Sequence, residues 1–379
     1  MATLERTTRN AFCRDLVAAQ TAIQAGVVAQ RSASDDRSWE IWSSFCDELA
    51  IDPTLTGILD PVPYLQVFAH RYRTGALAPH GRPVRARTVE GALRAVGQTA
   101  SCLGPRDPRF TVQGKTDFRL QRQLKAYGKA DPPPSRTKPL PVSVLRHALS
   151  AAHNAASPKA MAVADMACIA FFFLMRPGEY ASSPTDSQPF RIADVQLFLG
   201  SRRLDYNTSP PADLHAATFV SFTFTTQKNG VRGEVVGLGC SGDPLLCPVR
   251  AAARQLLQAK LAQAPADSPI CGYPASGAWR LVRPTDITTA LRVAVVAVGP
   301  ALLGFTPADI SARSLRASGA MALLCSRVDT DIIRLVGRWR SDEMLRYLHV
   351  QAQPVMRDFS RRMITDGDFG ALLAPQPLP

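Results

Sequence analysis

A proline-rich segment, KADPPPSRTKPLP at residues 129–141, constrains the fold of this chain more than any other feature. Three consecutive prolines cannot continue a helix, and the flanking charges keep the segment in water. We predict a semi-rigid linker between two domains, which suits 379 residues. The predicted boundaries are an N-terminal extension at 1–30, a domain at 31–128, the linker at 129–141, a domain at 142–362 and a tail at 363–379.

The part before the linker has helical periodicity. One predicted helix covers residues 37–49 and places apolar side chains on one stripe, namely Trp39, Trp42, Phe45, Cys46 and Leu49. Similar patterns predict helices at 63–72, 87–103 and 118–127. We therefore expect a bundle of four or five helices in this half.

The part after the linker is mixed. Helices are predicted at 142–155 and 160–175, and Pro177-Gly178 breaks the second. Residues 218–226 and 231–238 have strand composition, and Asn229-Gly230 between them is typical of a hairpin. Further helices are predicted at 248–263, 285–298, 311–325, 330–337 and 342–348, and 182–213 as a surface excursion. The expected fold class is mainly α with a small antiparallel β-sheet.

The net charge of the chain indicates which classes of binding partner it favours. Lys and Arg number 44 against 31 Asp and Glu, a net charge of +13. Such a chain favours polyanions, with nucleic acid first and an anionic membrane surface second, although a basic protein without such a partner stays possible on charge alone. The longest apolar run has nine residues, too few to span a membrane, and the N-terminus lacks the apolar core of a secretory signal. The eight cysteines contain no CxxC pair, so we expect reduced thiols and no metal site.

Three motifs contain the candidate catalytic residues. Arg176 ends an apolar run in FFFLMRPGEY, and Arg313 and Arg316 lie three apart in SARSLRASGA, on one predicted helix face. Tyr347 follows a Gly-Arg-Trp turn in VGRWRSDEMLRYLH. Each motif has a structural alternative: an ion pair with Glu179, a basic helix face, and a packing tyrosine. The small residues after Arg316 would allow another backbone to approach closely.

Taken in order, these motifs resemble those of the tyrosine recombinase (phage integrase) family, and within it the crypton-like and DIRS-like transposon recombinases of eukaryotes. The resemblance covers residues 142–362. It implies a helical core-binding domain at 31–128, followed by an α+β catalytic domain that cuts and rejoins double-stranded DNA without metal, ATP or another cofactor.

The resemblance also implies residue roles. Arg176 and Arg316 would clamp the scissile phosphate, Lys228 at the hairpin tip would be the general acid, and Tyr347 would form a 3′-phosphotyrosine. Two guanidiniums suit a phosphate because they stay charged and bind in bidentate fashion. A phenol of pKa about 10 needs such a cationic site to act as a nucleophile. Glu179 would orient Arg176 or the residue at the Arg313 position.

Two positions depart from the family pattern. Arg313 stands where the family usually has histidine, and a guanidinium cannot readily act as a base. Arg338 stands at the family's His or Trp position, with Trp339 next to it, and either side chain could donate to the phosphate. Loss of the base would leave a slower enzyme or a DNA-binding relic.

The remaining cations suit DNA wrapping by two domains. The candidate DNA-binding residues are Arg82, Arg85, Arg87, Arg94, Arg122 and Lys125. Strand exchange between two duplexes would require self-association into a tetramer on DNA, and the resemblance implies a nuclear location in a eukaryotic host. The alternatives are a domesticated, non-catalytic DNA-binding protein, a type IB topoisomerase that acts without synapsis, and an unrelated basic helical scaffold.

Overall fold

The computed structural model describes residues 6–25, 29–133, 137–183, 188–225 and 233–339. The chain divides into two compact units, Met1–Pro134 and Ser135–Pro379, and the division falls inside the proline-rich segment. No helix in the described part is long and apolar enough to cross a membrane.

Helices make up the regular structure described in the first unit. They are α1 (Arg6–Ala25), α2 (Ala29–Glu48), α3 (Val62–Thr74), α4 (Ala86–Cys102) and α5 (Phe118–Ala130). The predicted helices at 63–72, 87–103 and 118–127 are thus confirmed to within a few residues. The prediction missed α1, whose side chains are mostly exposed, and it began α2 too late, at residue 37.

The core of the first unit forms around the predicted stripe of α2. Trp42, Phe45 and Cys46 are fully buried, and the Trp42 ring meets Phe68 of α3 edge-on at 5.1 Å. The Trp42 indole N–H donates to the Pro53 carbonyl at 2.8 Å, so the polar atom of this buried ring is satisfied. Leu49 was wrongly assigned to the stripe, because α2 ends at Glu48 and Leu49 is exposed.

The described residues at the two ends of the proline-rich segment make specific contacts. Helix α5 continues to Ala130, and the Asp131 carboxylate pairs with Arg73. At the other end Leu140 is buried, and its N–H donates to Ser318 Oγ at 2.8 Å. Both ends of the segment therefore pack into the units that they adjoin.

The second unit combines helices with a small antiparallel sheet. Its first helices are α6 (Val142–Ala155), α7 (Pro158–Phe172) and α8 (Pro177–Tyr180), and α9 (Pro211–His215) follows the first two strands. Its strands are β1 (Val195–Leu199), β2 (Arg202–Leu204), β3 (Phe219–Phe224), β4 (Glu234–Gly239), β5 (Gly272–Ala275) and β6 (Ala278–Leu281). The later helices are α10 (Pro248–Leu261), α11 (Pro284–Val298), α12 (Pro300–Leu303), α13 (Ser314–Cys325) and α14 (Thr330–Val336).

The sheet has the order β2-β1-β3-β4, and every neighbouring pair is antiparallel. The predicted hairpin corresponds to β3 and β4, whose register pairs Phe224 with Glu234. The Asn-Gly turn itself lies outside the described residues. A separate two-stranded ribbon joins β5 to β6, which the sequence pattern did not predict.

The predicted surface excursion at 182–213 is wrong. This stretch contains β1, β2 and the start of α9, and it buries Phe190, Ile192 and Leu197 in the core. Prolines, serines and aspartates are frequent in this stretch, but four of the five residues of β1 are apolar, and β2 and β3 pair with its two edges.

Helix α7 is the central helix of the second unit. Its residues from Ala162 to Phe171 are all buried, which explains its nearly continuous apolar sequence. The buried Asp165 is compensated by the Arg254 guanidinium of α10, with Nε at 3.0 Å from Oδ1. The chain after α7 leads directly into the candidate site.

Candidate active site

Arg176 and Glu179 form one local unit at the start of α8. Pro177 occupies the first helical turn, so the predicted helix break is also a helix start. The Glu179 carboxylate reaches back to the Arg176 backbone N–H at 2.8 Å and to the Arg176 Nη1 at 3.1 Å. The ion pair considered as the structural alternative for Arg176 is therefore present, and the Arg176 side chain is still 29% exposed.

Arg338 is the second partner of Glu179. Its Nη2 donates to Glu179 Oε2 at 3.0 Å, and its Nη1 donates to the Phe173 carbonyl at 3.2 Å. The Arg338 guanidinium carbon lies 3.7 Å from the centroid of the Phe224 ring. Burial of this side chain lowers the pKa of Arg338 from its ordinary value, and Glu179 opposes that effect. The sequence analysis named Arg176 or the residue at the Arg313 position as the arginine that Glu179 would orient; Glu179 contacts Arg176, and Arg338 in addition.

Arg316 lies deeper, under the Gly-Arg-Trp turn. It is 3% exposed, its Nη1 donates to the Leu174 carbonyl and its Nη2 to the Gly337 carbonyl. The guanidinium carbon lies 4.1 Å from the centroid of the Trp339 ring. Arg316 therefore joins the end of α7 to the turn that precedes the segment containing Tyr347.

Gly337 is required by the packing of this turn. A Cβ at this position would lie 1.6 Å from the Trp339 ring, which leaves no room for a side chain. The ring itself is buried with Leu174, Ala320 and Ile333. Trp339 thus packs into a small apolar cluster and presents the face of its ring to Arg316.

The small residues of α13 do allow a close approach. A Cβ added to Gly319 would lie 2.1 Å from the Phe171 carbonyl oxygen, so α13 contacts the α7 backbone at this glycine. This contact holds Arg316, one turn earlier in α13, beside the end of α7.

Arg313 and Arg316 do not share an environment, contrary to the prediction of one helix face. Arg313 is the N-terminal cap of α13 and is exposed, whereas Arg316 is buried. The Tyr180 hydroxyl donates to the Ala312 carbonyl at 2.8 Å, which keeps the chain next to Arg313 against α8. Burial raises the pKa of Tyr180, so this phenol stays a neutral donor.

We call Arg176, Glu179, Arg316, Arg338 and Trp339 the Glu179 cluster. In this cluster Arg176 and Arg338 both donate to Glu179, so two guanidiniums share one carboxylate, and the Arg176 and Arg313 side chains reach the surface. Such a surface is suited to an anion with several oxygens, of which a phosphodiester is one. Lys228 and Tyr347 lie outside the described residues.

Sequence reasoning missed Phe224. It is the last residue of β3, fully buried, and its ring covers the Arg338 guanidinium. The available signal was its position as the final inward residue of a strand that leads into the hairpin containing Lys228.

The predicted DNA-binding cations lie on the surface of the first unit. All six are exposed, and none has an ion-pair partner in the described part of the chain. Neighbouring arginines differ: Arg71 pairs with Glu48, Arg73 with Asp131, and Arg119 with Asp60 and Asp117. Among the residues in the described ranges, no three His, Cys, Asp or Glu side chains form a group that could hold a metal ion.

Comparison with known proteins adds evidence for the fold. No model of a known protein family matches the sequence, and no curated protein matches it. The structure is similar to that of the Tn1549 transposon integrase in complex with circular intermediate DNA, with a TM-score of 0.52, 12% identity and coverage of 92% of this chain and 98% of that chain. It also matches the XerH site-specific recombinase bound to difH (TM-score 0.39, 14% identity, 79% and 78% coverage) and the XerA recombinase (0.35, 13%, 87% and 90%).

At these identities the likeness concerns the fold alone. The predicted fold class is confirmed: the chain is mainly helical with a small antiparallel sheet, and its fold resembles that of tyrosine recombinase catalytic domains.

Proposed function

We propose that this protein is a site-specific DNA recombinase that cleaves and rejoins DNA through a 3′-phosphotyrosine. The observation that carries the proposal is the Glu179 cluster, where the sequence motifs converge: Arg176 and Arg338 donate to Glu179, and Arg316 lies over the Trp339 ring. The similarity of the fold to a DNA-bound transposon integrase supports it.

In the proposed reaction the Tyr347 phenol releases its proton to water as its oxygen attacks the scissile phosphorus. The bond from phosphorus to the 5′-oxygen breaks, the 3′-phosphate becomes joined to Tyr347, and Lys228 gives its proton to the 5′-oxygen. A 5′-hydroxyl from a second strand then attacks the phosphotyrosine and gives its proton to Lys228, and the released Tyr347 oxygen takes up a proton from water. Each step exchanges one phosphate ester for another, so the proposal requires no metal, cofactor or ATP.

We assign different roles to the exposed and the buried arginines. Arg176 and Arg313 reach the surface, and we assign them direct contact with the phosphate oxygens. Arg316 and Arg338 are buried and donate to backbone carbonyls on both sides of the Gly337 turn, so we assign them to positioning. This refines the sequence-based prediction, which placed Arg316 in the clamp.

The wider assembly is also a proposal. Exchange between two duplexes needs four protomers, and the exposed cations of the first unit would bind DNA beside the catalytic unit. A crypton-like origin and a nuclear location in a eukaryotic host follow from the motif resemblance alone.

The test is covalent trapping with the full-length protein. Nicked duplexes drawn from a random pool would be incubated with the protein and run on a denaturing gel. We expect a protease-sensitive DNA adduct that disappears in Tyr347→Phe and persists in the matched control Tyr206→Phe, a tyrosine of the same unit whose hydroxyl donates to the Ala264 carbonyl. An adduct that survives in Tyr347→Phe would refute the assignment of the nucleophile.

A second substrate tests Lys228. When sulfur replaces the 5′-oxygen at the scissile phosphate, the leaving group needs little protonation, because a thiol has a pKa of about 8.5. Lys228→Gln should then cleave the sulfur substrate at nearly the wild-type rate and the ordinary substrate much more slowly. Equal impairment on both would remove Lys228 from the role of general acid.

DNA binding without cleavage is the second candidate. It is favoured by an arginine at position 313, where a base would serve the phenol, and by the burial of Arg316. Salt-sensitive DNA binding with no adduct would support it. A topoisomerase would form the adduct and relax supercoils but would not exchange strands between two labelled duplexes.

A further inference from the structure

A cavity lies in the second unit, outside the Glu179 cluster. It has a volume of about 400 Å³ and lies where the β5–β6 ribbon meets the starts of α7 and α11. Its lining includes Lys159, Tyr273, Trp279, Arg280, Arg283 and Asp286. No residue of the Glu179 cluster lines it, and the recombinase proposal does not use it.

The charges of this cavity do not cancel. Lys159 Nζ lies 2.7 Å from one carboxylate oxygen of Asp286, and the other oxygen accepts the Arg283 backbone N–H at 2.9 Å. Burial alone would raise the pKa of Asp286, but Lys159 outweighs it and the pKa is lowered, so the pair stays ionised. Arg280 and Arg283 are exposed and have no ion-pair partner in the described ranges. Three cations against one carboxylate leave an excess of two positive charges (3 − 1).

The same cavity has aromatic walls. Tyr273 and Arg280 are directly paired across the β5–β6 ribbon, so their side chains leave the same face of it. The Trp279 indole N–H donates to the Pro269 carbonyl at 3.1 Å, which fixes the orientation of the ring. Neither ring is completely buried.

We propose that this cavity binds a nucleotide. A phosphate ester matches the two guanidiniums, which present planar pairs of N–H donors, and a base is a flat ring system of the kind that stacks on an aromatic ring such as that of Tyr273, on the same ribbon face as Arg280. The volume lies within the range of pockets that hold small ligands. The nucleotide is either free in solution or the terminal residue of a DNA strand, and the chemistry of recognition is the same for both.

The experiment is a binding titration of the full-length protein by calorimetry. The probes are dAMP, inorganic phosphate and a 5′-phosphorylated trinucleotide. We expect saturable binding of dAMP at least tenfold tighter than that of phosphate, and at least a tenfold loss in the double variant Arg280→Gln/Arg283→Gln. The matched control is Arg250→Gln, an exposed arginine on α10 outside the cavity, which should bind as the wild type does.

The outcomes distinguish a free nucleotide from a DNA end, and they also test whether the cavity is the binding site. Tighter binding of dAMP supports a free nucleotide, and tighter binding of the trinucleotide that is lost in the double variant supports a DNA end. Equal affinity for dAMP and phosphate would overturn recognition of the base, and binding unchanged by the double variant would overturn the site. Adduct formation in the trapping assay depends on Tyr347, so it can fail or succeed independently of this result.

Discussion

Removal of the Glu179 charge is the sharpest test of the cluster. Glu179→Gln keeps the shape of the side chain but leaves the Arg338 guanidinium without its counter-charge. The two side chains are 9% and 2% exposed, so water cannot replace the lost carboxylate. Breaking a buried pair by removing one partner costs about 3–5 kcal/mol, and the glutamine oxygen can still accept one hydrogen bond. We expect a loss of about 3 kcal/mol in the free energy of unfolding.

The loss should appear in urea unfolding and in thermal melts. For a unit of this size, 1 kcal/mol corresponds to roughly 2–4 °C, so the midpoint should fall by about 6–12 °C. Asp267→Asn, a surface carboxylate of the same unit, should change stability by less than about 0.5 kcal/mol.

A double variant isolates the electrostatic cause. Arg338→Met removes the buried charge, so Glu179→Gln/Arg338→Met should be more stable than Glu179→Gln alone by at least about 1 kcal/mol. If Glu179→Gln lost under about 1 kcal/mol, Glu179 would not be compensating Arg338, and our account of the cluster would be incorrect.

Two further predictions concern packing and DNA contact. Gly319→Ala should lower the free energy of unfolding by about 1–3 kcal/mol, because its Cβ would meet the Phe171 carbonyl. Gly128→Ala on α5, which has open space around it, should raise the free energy of unfolding by about 0.5–1 kcal/mol. Urea titrations of both variants measure the difference, and equal effects would contradict the close contact between α13 and α7. The double variant Arg122→Gln/Lys125→Gln should reduce the slope of log affinity against log salt concentration for duplex DNA by about 2, as measured by fluorescence anisotropy at several salt concentrations. In the control Arg71→Gln this slope should stay nearly unchanged, because the Arg71 cation already pairs with Glu48.

The helices that sequence periodicity located best are those with a clear apolar stripe. Helix α6 matches its predicted bounds, and α3 and α4 match within two residues, because a stripe of period 3.6 is a local property. The sequence pattern did not predict β1 and β2, which have only five and three residues, and β1 joins the sheet through β3, a strand distant in sequence. The Val195–Phe222 pairing of β1 with β3 has no counterpart in local composition.

The arginines also differ in how far the sequence predicts their contacts. The pairing of Arg176 with Glu179 was foreseeable, since three positions on a helical turn bring these side chains together. The different environments of Arg313 and Arg316 were not, because the helix start falls between them. The contact of Glu179 with Arg338 joins two segments separated by 159 positions.

The sequence by itself determined the helical character of both halves, the division near the prolines, the basic surface and the ordered motifs, because each depends on residues close together in the chain. Only the tertiary structure decided which arginines are buried, which one shares Glu179, and that Phe224 covers Arg338. Those outcomes depend on how α7, α13, β3 and the Gly337 turn pack against one another, and packing sets the burial and hydrogen bonding of each charge.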